Sequence, residues 1–313
     1  MRKAIVTGAS GFIGSWLAQE LLENDYQVTV LVRDKLKLLP EIREHCLIIE
    51  KSLSDVKPKD FSTCDIFFHL AWSGVAPKEK HKLCIQLDNI RGSLNALEAS
   101  NQAGCTLFVA VGTVAEYALC DNVMDMNARQ TPNDFYGAAK VASHYFMEVR
   151  ARQLKQSFIW CVVPSTFGER RIDDNIITYT IKTLLRGDKP IYGDLAQMWD
   201  FLYVKDTVKA LRLIGEKGTS NKVYGIGSGG YKTLREYISC IRDVIDPELP
   251  LGIGENKDEV VRTFSSCVNN YDLKKDTGFQ PEYTFEDGIR RTVDYFKRGR
   301  SVFKEIEEWR TIQ

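Results

Sequence analysis

The chain has 313 residues, a length at which one large domain with a smaller lobe is the expected organisation. Hydrophobic residues make up 44% and charged residues 27%, as in an ordinary globular protein, and no apolar run approaches the length of a membrane span. Lysine plus arginine equals aspartate plus glutamate at 42 each, so the charge balance favours neither a nucleic-acid nor a membrane partner.

The first half of the chain alternates short apolar runs with segments of helical periodicity. The runs are rich in Val, Ile and Phe and predict buried strands at Lys3–Thr7, Gln27–Val32, Ile66–Leu70, Leu107–Val111 and Phe158–Val163. Helical patterns lie between them at Ser15–Glu23, Leu87–Ala103 and Tyr136–Lys155. Strands separated by helices predict right-handed crossovers and an α/β fold with a doubly wound parallel sheet.

After about Gly168 this alternation weakens. Short strand candidates at Lys189–Tyr192, Asp200–Val204 and Lys222–Ile226 mix with helices there, and this predicts a smaller mixed α/β lobe. We expect residues 1–168 to form the sheet domain and residues 169–313 mainly the smaller lobe, with some segments returning to the sheet domain.

The cysteines and histidines predict no metal site. The four histidines are widely spread, and no two cysteines have the short spacing of zinc or redox pairs. The eight cysteines are Cys46, Cys64, Cys84, Cys105, Cys120, Cys161, Cys240 and Cys267. We expect free buried thiols in a reducing compartment, and therefore a cytoplasmic protein.

A glycine-rich loop, Gly8-Ala9-Ser10-Gly11-Phe12-Ile13-Gly14, follows the first strand and opens a helix. The first glycine permits a tight turn, the second lets the backbone approach a pyrophosphate, and the third allows close helix–strand packing. The helix N-terminus adds unpaired N–H groups and partial positive charge. This arrangement predicts a Rossmann domain that binds a dinucleotide.

The end of the second strand bears on the choice of dinucleotide. NAD-binding domains usually carry an acid there for the ribose 2′-hydroxyl, whereas this chain has Val32 followed by Arg33. A guanidinium suits a 2′-phosphate, so we favour NADP(H) over NAD(H). Asp34 keeps NAD(H) possible, because its carboxylate binds a ribose hydroxyl if the turn points it inward.

Tyr136 and Lys140 lie one turn apart on one face of a predicted helix. A lysine ammonium beside a phenol lowers the pKa of the phenol, which suits Tyr136 to pass a proton at neutral pH. Behind a complete dinucleotide loop, this spacing predicts a hydride-transfer site.

Several segments together resemble the extended short-chain dehydrogenase/reductase family, which includes nucleotide-sugar epimerases, dehydratases and 4-ketoreductases. The resemblance runs through nearly the whole chain. The matching segments are Thr7–Gly14, Phe67–Ala71, Gly112–Tyr117, Pro164–Gly168, Asp200–Asp206 and Gly225–Gly229.

The resemblance implies roles for individual residues. Thr113 would bond the reacting oxygen, Tyr136 would be the acid/base, and Lys140 would hold the nicotinamide ribose. The expected cofactor-binding residues are Gly8, Ser10, Gly11, Phe12, Ile13, Gly14, Arg33, Leu70, Ala71, Asn89, Lys140 and Pro164. The expected substrate-binding residues are Trp72, Thr113, Glu116, Ser165, Asn175, Trp199 and Arg262. A homodimer is common in this family.

Two departures from the family pattern matter. The dehydratases carry Asp-Glu directly after the threonine, whereas this chain has Val114 and Ala115, so water loss is not expected. An arginine usually precedes Asp200 and grips the nucleotide diphosphate, but Trp199 stands there. Diphosphate binding would then shift to Arg170, Arg171 or Arg262.

Four functions remain open. The first is an NADPH-dependent reductase of a nucleotide-linked 4-keto-6-deoxysugar, and the second is a nucleotide-sugar 4-epimerase using the same residues. The third is a small-carbonyl reductase similar to the dihydroflavonol reductases, suggested by Gly11–Trp16 and Val32–Asp34. The fourth is a dinucleotide-binding regulator without turnover.

Overall fold

The computed structural model describes residues 1–117, 123–171, 173–256 and 266–311. The strands are β1 (Lys3–Thr7), β2 (Gln27–Val32), β3 (Leu47–Glu50), β4 (Ile66–His69), β5 (Leu107–Thr113), β6 (Ser157–Val163), β7 (Ser165–Phe167), β8 (Ile191–Tyr192), β9 (Met198–Trp199), β10 (Phe201–Tyr203), β11 (Val223–Gly225), β12 (Lys232–Thr233) and β13 (Gly252–Ile253). The helices are α1 (Phe12–Glu23), α2 (Pro40–His45), α3 (Leu83–Gln102), α4 (Phe135–Leu154), α5 (Ile176–Arg186), α6 (Val204–Lys217), α7 (Leu234–Ile245), α8 (Tyr271–Thr277) and α9 (Phe285–Thr311).

A seven-stranded parallel sheet forms the centre of the fold, in the order β11-β6-β5-β4-β1-β2-β3. Helices α1 and α6 pack together on one face, and α3 and α4 on the other. The strand order reverses between β1 and β4, where open α/β sheets bind ligands beyond the carboxyl ends of the strands. The predicted Rossmann-type parallel sheet is confirmed.

The central strands are continuous apolar runs because both of their faces are covered. Every side chain of β4 is buried, and Phe67 of β4 stacks on Phe108 of β5 with ring centroids 4.7 Å apart. Strand β3 is missing from the sequence-based elements because it lies at the sheet edge and carries no fully buried residue.

The part of the chain after β6 contributes three small two-stranded pairs, β7–β10, β8–β13 and β9–β12, of which the last is antiparallel. This is the mixed α/β character that the sequence predicts. Strand β11, by contrast, joins the large sheet beside β6, so the predicted Lys222–Ile226 strand belongs to the sheet domain. The division into 1–168 and 169–313 stays a prediction.

The cysteines depart from the expectation of free buried thiols at a disulfide and at two free residues, Cys84, which is exposed, and Cys240, which is half-buried. Cys64 and Cys105, which precede β4 and β5, are paired as a disulfide with their Cα atoms 4.5 Å apart. Neighbouring parallel strands bring the two residues together, and their separation of 41 residues hides this in the sequence. Cys46 and Cys161 are free and buried, as expected. The cytoplasmic location stays a prediction.

Candidate active site at the carboxyl ends of the strands

The glycine loop makes a close-fitting backbone turn between β1 and α1. Gly8 has a φ of 78°, and a Cβ there would lie 2.9 Å from the backbone nitrogen of Ala71. Gly11 N–H donates to the carbonyl of Gly8 at 2.9 Å, and a Cβ on Gly14 would collide with the same carbonyl. The loop therefore forms a cradle lined by backbone at the N-terminus of α1, and this fits a dinucleotide pyrophosphate.

The other predicted loop residues surround this cradle. Ser10 is exposed, whereas Phe12 and Ile13 are half-buried in the first turn of α1. Leu70 and Ala71 lie just after β4 and are half-buried. Ala71 approaches Gly8, so both residues lie at the same edge of the sheet as the glycine loop.

The Thr7 side chain links the end of β1 to the residues that follow β4. Its Oγ1 accepts hydrogen bonds from the backbone N–H groups of Leu70 (3.1 Å) and Ala71 (3.0 Å). His69 shares a 3.0 Å hydrogen bond with Thr7 through Nδ1 and a 2.8 Å hydrogen bond with Ser93 through Nε2. Burial, followed by the charge of Lys140, lowers the pKa of His69 to about 3. His69 is therefore a neutral core residue rather than an acid/base group.

Two further residues were predicted to bind the cofactor. The Asn89 amide accepts from the backbone N–H of Ser73 at 2.9 Å and donates to its carbonyl at 2.8 Å, so it holds the loop after β4. Pro164 is buried between β6 and β7.

Arg33 is exposed directly after β2, and no hydrogen bond or ion pair engages it within the described residues. Val32 is buried, and the carboxylate of Asp34 accepts from the backbone N–H of Leu36 at 2.9 Å. Asp34 therefore caps the following turn, and Lys35 pairs with Glu50 at 3.3 Å. Among the described residues, Arg33 is the available cation that directly follows β2, and exposed Lys37 lies four residues further along the chain.

Thr113, Tyr136 and Lys140 come together across two elements. Thr113 ends β5, and Tyr136 lies in the first turn of α4, whose N-cap Asp134 accepts from Gly137 N–H at 2.7 Å. Tyr136 is half-buried, and the Thr113 side chain lies close enough to lower its pKa. Lys140 is buried one turn further along α4, and its ammonium donates to the carbonyl of Val111 at 2.7 Å.

The electrostatics of the pair differ from the sequence-based prediction. Burial raises the pKa of Tyr136 to about 12, against the lowering effect of the Thr113 side chain. Burial also lowers the pKa of Lys140, against the raising effect of the Glu116 charge. The predicted lowering of the tyrosine pKa by Lys140 is wrong for this arrangement, because burial outweighs the groups that lower this pKa and Lys140 is not among them.

Trp72 contacts both of these side chains. The Lys140 ammonium lies 3.8 Å from the centroid of the Trp72 ring, and the indole meets the Tyr136 ring edge-on at 6.3 Å. Its N–H donates to Gln86 Oε1 at 2.9 Å. Lys80 lies over the Tyr136 ring at 4.9 Å. Lys80 was not predicted from the sequence, because nothing there distinguishes it from neighbouring loop cations.

Glu116 is neither a solvated residue nor part of the cleft surface, and its predicted substrate role does not fit its position. It is fully buried behind β5. Its carboxylate accepts from the backbone N–H of Thr113 (2.8 Å), the indole of Trp160 (3.2 Å) and the amide of Gln130 (3.1 Å). Glu116 differs from the prediction because the turn after β5 points its side chain inward.

The substrate-binding residues predicted in the second half are mostly engaged with one another or with backbone. The Trp199 indole donates to Ser165 Oγ at 2.9 Å. Asn175 caps α5 by accepting from the N–H groups of Ile177 (3.0 Å) and Thr178 (3.2 Å). Arg262 lies outside the described residues.

The two other arginines considered for a diphosphate differ in position. The Arg171 guanidinium pairs with Asp173 at 3.0 Å, donates to the carbonyl of Thr166 and lies 5.7 Å from the Phe12 ring. Arg170 stacks on Trp16 at 3.9 Å, on the α1 side. Arg171 is therefore the one next to the glycine loop.

The comparison with known families agrees with this geometry. The sequence profile of the NAD dependent epimerase/dehydratase family matches residues 4–227, from β1 beyond β11. The chain belongs to this family. It is therefore an enzyme of the extended short-chain dehydrogenase/reductase type, an oxidoreductase or epimerase.

Relatives in the epimerase/dehydratase family match over nearly their full length. dTDP-glucose 4,6-dehydratase of Neisseria meningitidis serogroup B is 25% identical over 98% of this chain and 96% of its own. Among solved structures, UDP-glucose 4-epimerase of Thermotoga maritima is 25% identical, with a TM-score of 0.80 over 95% of this chain and 99% of its own. MoeE5 in complex with UDP-glucuronic acid and NAD is 25% identical, with a TM-score of 0.83 over the same shares.

Two features are absent from the described ranges. No helix in them combines the length and apolar character needed to cross a bilayer. No group of three or more His, Cys, Asp or Glu side chains in the same ranges is arranged to hold a metal ion.

Proposed function

We propose that this enzyme is an NADPH-dependent reductase that converts a nucleotide-linked 4-keto-6-deoxysugar to its 4-hydroxy product. The observation that carries the proposal is the neighbourhood of Thr113. A complete Thr113–Tyr136–Lys140 set is present, while the two positions after the threonine hold Val114 and Ala115. Apolar side chains neither protonate a leaving hydroxyl nor abstract a ring proton, so the set supports hydride transfer without water loss.

The bound dinucleotide would supply hydride to the carbonyl carbon. Thr113 would donate a hydrogen bond to the carbonyl oxygen, and the Tyr136 hydroxyl would donate the proton that this oxygen takes up. The pKa of Tyr136, which burial raises to about 12, keeps this phenol protonated at neutral pH and therefore suits the reductive direction. Lys140 would hold the nicotinamide ribose by its ammonium.

Arg33 supports NADPH as the reductant. It is exposed beside buried Val32, and no partner engages it within the described part of the chain. An available guanidinium suits the 2′-phosphate, and the acid that would repel this phosphate is absent from the end of β2. Asp34, the alternative ribose ligand, already caps a turn.

A 4-epimerase is the second candidate. Two observations favour it: UDP-glucose 4-epimerase of Thermotoga maritima and the NAD complex of MoeE5 both match nearly the whole chain. The same three residues would then take the proton from the sugar hydroxyl and return it, while the bound dinucleotide would accept hydride from the carbon and return it to the opposite face. NAD(H) is the alternative cofactor in this case. The small-carbonyl reductase and the regulator without turnover gain no support from a further observation.

One assay separates these functions. Purified enzyme is given a dTDP- or UDP-linked 4-keto-6-deoxysugar with NADPH or NADH, and the loss of nicotinamide absorbance is followed. The reductase oxidises NADPH in proportion to product. Interconversion of two nucleotide sugars without net cofactor consumption would establish the epimerase, and oxidation of NADPH with simple aldehydes alone would establish the small-carbonyl enzyme.

We also propose a homodimer formed by α3 and α4. These two helices pack together, and α4 leaves Tyr145 (54% exposed), Phe146 (58%) and Val149 (47%) on its outer face beside Leu87 of α3. Apolar surface of this kind marks an interface. Light scattering should give twice the chain mass, and Phe146→Glu should reduce it to one chain. A wild-type protein of single-chain mass would contradict the dimer.

A further inference from the structure

The carboxylate of Glu116 occupies a tightly built position behind the active site. One oxygen accepts from the backbone N–H of Thr113 at 2.8 Å. The other accepts from the Trp160 indole at 3.2 Å and from the Gln130 amide at 3.1 Å. A buried carboxylate with three donors retains its charge at far lower cost than an unpartnered one. The donor set is therefore suited to an ionised group.

The surrounding chain leaves room for this carboxylate. A Cβ on Gly112 would collide with both Glu116 Oε1 and the Trp160 indole nitrogen, so glycine is required at that position. The Trp160 ring is in turn covered by His144, with ring centroids 4.8 Å apart and planes 13° from parallel. Glu116 is thus enclosed by fixed groups rather than by mobile surface side chains.

Glu116 and Lys140 adjoin the same indole, since Trp160 donates to the Glu116 carboxylate at 3.2 Å and its ring centroid lies 5.9 Å from the Lys140 ammonium. Glu116 is therefore close enough to act on Lys140 by its charge. Burial lowers the pKa of Lys140 and the Glu116 charge raises it, while burial raises the pKa of Glu116 and Lys140 is among the groups that lower it. The other titratable groups facing this pair are neutral near pH 7. The pKa of His69 on β4 is lowered to about 3, that of His144 on α4 to about 4, and that of Tyr136 is raised to about 12.

We propose that Glu116 is a positioning residue of the active site, a role that rests on the proposed dinucleotide enzyme. Its carboxylate holds the main chain that carries Thr113 and supplies the negative charge that keeps the Lys140 ammonium charged inside the protein. Glu116 touches neither cofactor nor substrate. It acts through Thr113 on one side and Lys140 on the other.

The first test measures NADPH binding without any substrate, by nicotinamide fluorescence from about pH 6 to about pH 10. Glu116→Gln keeps the size and the acceptor for Thr113 N–H but removes the charge. Lys140 then loses its proton at lower pH, so the alkaline loss of affinity should begin about one pH unit below that of wild type. Gln130→Leu is the matched control, because it removes a hydrogen bond but leaves the charge, and its alkaline limb should coincide with that of wild type.

The second test compares the thermal unfolding of Lys140→Met with that of Lys140→Met combined with Glu116→Gln, and it does not require Glu116→Gln alone to fold. Lys140→Met leaves the Glu116 carboxylate buried without its counter-charge. Adding Glu116→Gln to Lys140→Met removes the stranded charge, so the double variant should melt at a higher temperature than Lys140→Met.

The outcomes are distinguishable. If wild type binds NADPH and Glu116→Gln has an unchanged alkaline limb, Glu116 has no electrostatic role and the inference is overturned. A double variant that melts below Lys140→Met overturns it as well. A wild type that binds neither NADPH nor NADH at any pH overturns the proposed function and this role together.

Discussion

Replacing Trp72 tests whether its indole stabilises the Lys140 ammonium. The Lys140 ammonium lies 3.8 Å from the ring centroid and is buried, so it faces the ring almost without competing water. A desolvated cation–π contact contributes about 2 kcal/mol. Since one pKa unit corresponds to about 1.4 kcal/mol, Trp72→Leu should lower the pKa of Lys140 by about 1.5 units.

The variant Trp72→Phe is the matched control for Trp72→Leu. Both lose the indole N–H bond to Gln86, which is buried, so both should lower the free energy of unfolding by about 1–3 kcal/mol. Only Trp72→Phe retains a ring face for Lys140. The alkaline limb of NADPH binding should therefore shift further toward low pH in Trp72→Leu than in Trp72→Phe. Coincident limbs in the two variants would refute the cation–π argument, whatever their stabilities.

Three further predictions concern the cofactor and the proton. Arg33→Ala should weaken NADP binding about tenfold or more and leave NAD binding unchanged, while Lys37→Ala, an exposed cation nearby, should alter neither; equal wild-type affinities for the two dinucleotides would contradict this. Tyr136→Phe should lower turnover about 10²–10⁴-fold with cofactor affinity intact, and near-normal turnover would move the proton to another residue. Gly14→Ala should abolish dinucleotide binding in titrations, because its Cβ collides with the Gly8 carbonyl; retained binding would show that the loop tolerates the shift.

The central strands could be predicted because their signal is local. The strands predicted at Lys3–Thr7 and Gln27–Val32 have the same bounds in the structure. Leu47–Glu50 gives no such signal, because an edge strand is only partly covered and needs fewer apolar residues. The sequence of Lys222–Ile226 predicts a strand but does not predict that it joins the large sheet, because it pairs with β6, some sixty residues earlier in the chain.

In the site, the sequence predicted which residues take part but did not predict the contacts that these residues make. Tyr136 and Lys140 stand out by their spacing on one helix. The proximity of Tyr136 to Thr113 and the hydrogen bond from Lys140 to Val111 do not, because both partners lie on β5. The direction of the tyrosine pKa was wrong for the same reason, since burial is a property of the folded surroundings.

The sequence by itself determined the central strands, the helices between them, the glycine loop and the Tyr136–Lys140 spacing from which we propose a proton-transfer role. Each of these depends on residues close together in the chain, where periodicity and backbone sterics act directly. Only the tertiary structure decided that Glu116 faces the interior, that Trp72 covers Lys140, and that Trp199 bonds to Ser165. Two of those contacts join residues 34 and 68 positions apart, and the third depends on how a turn points one side chain. All three depend on packing between elements that no local pattern encodes.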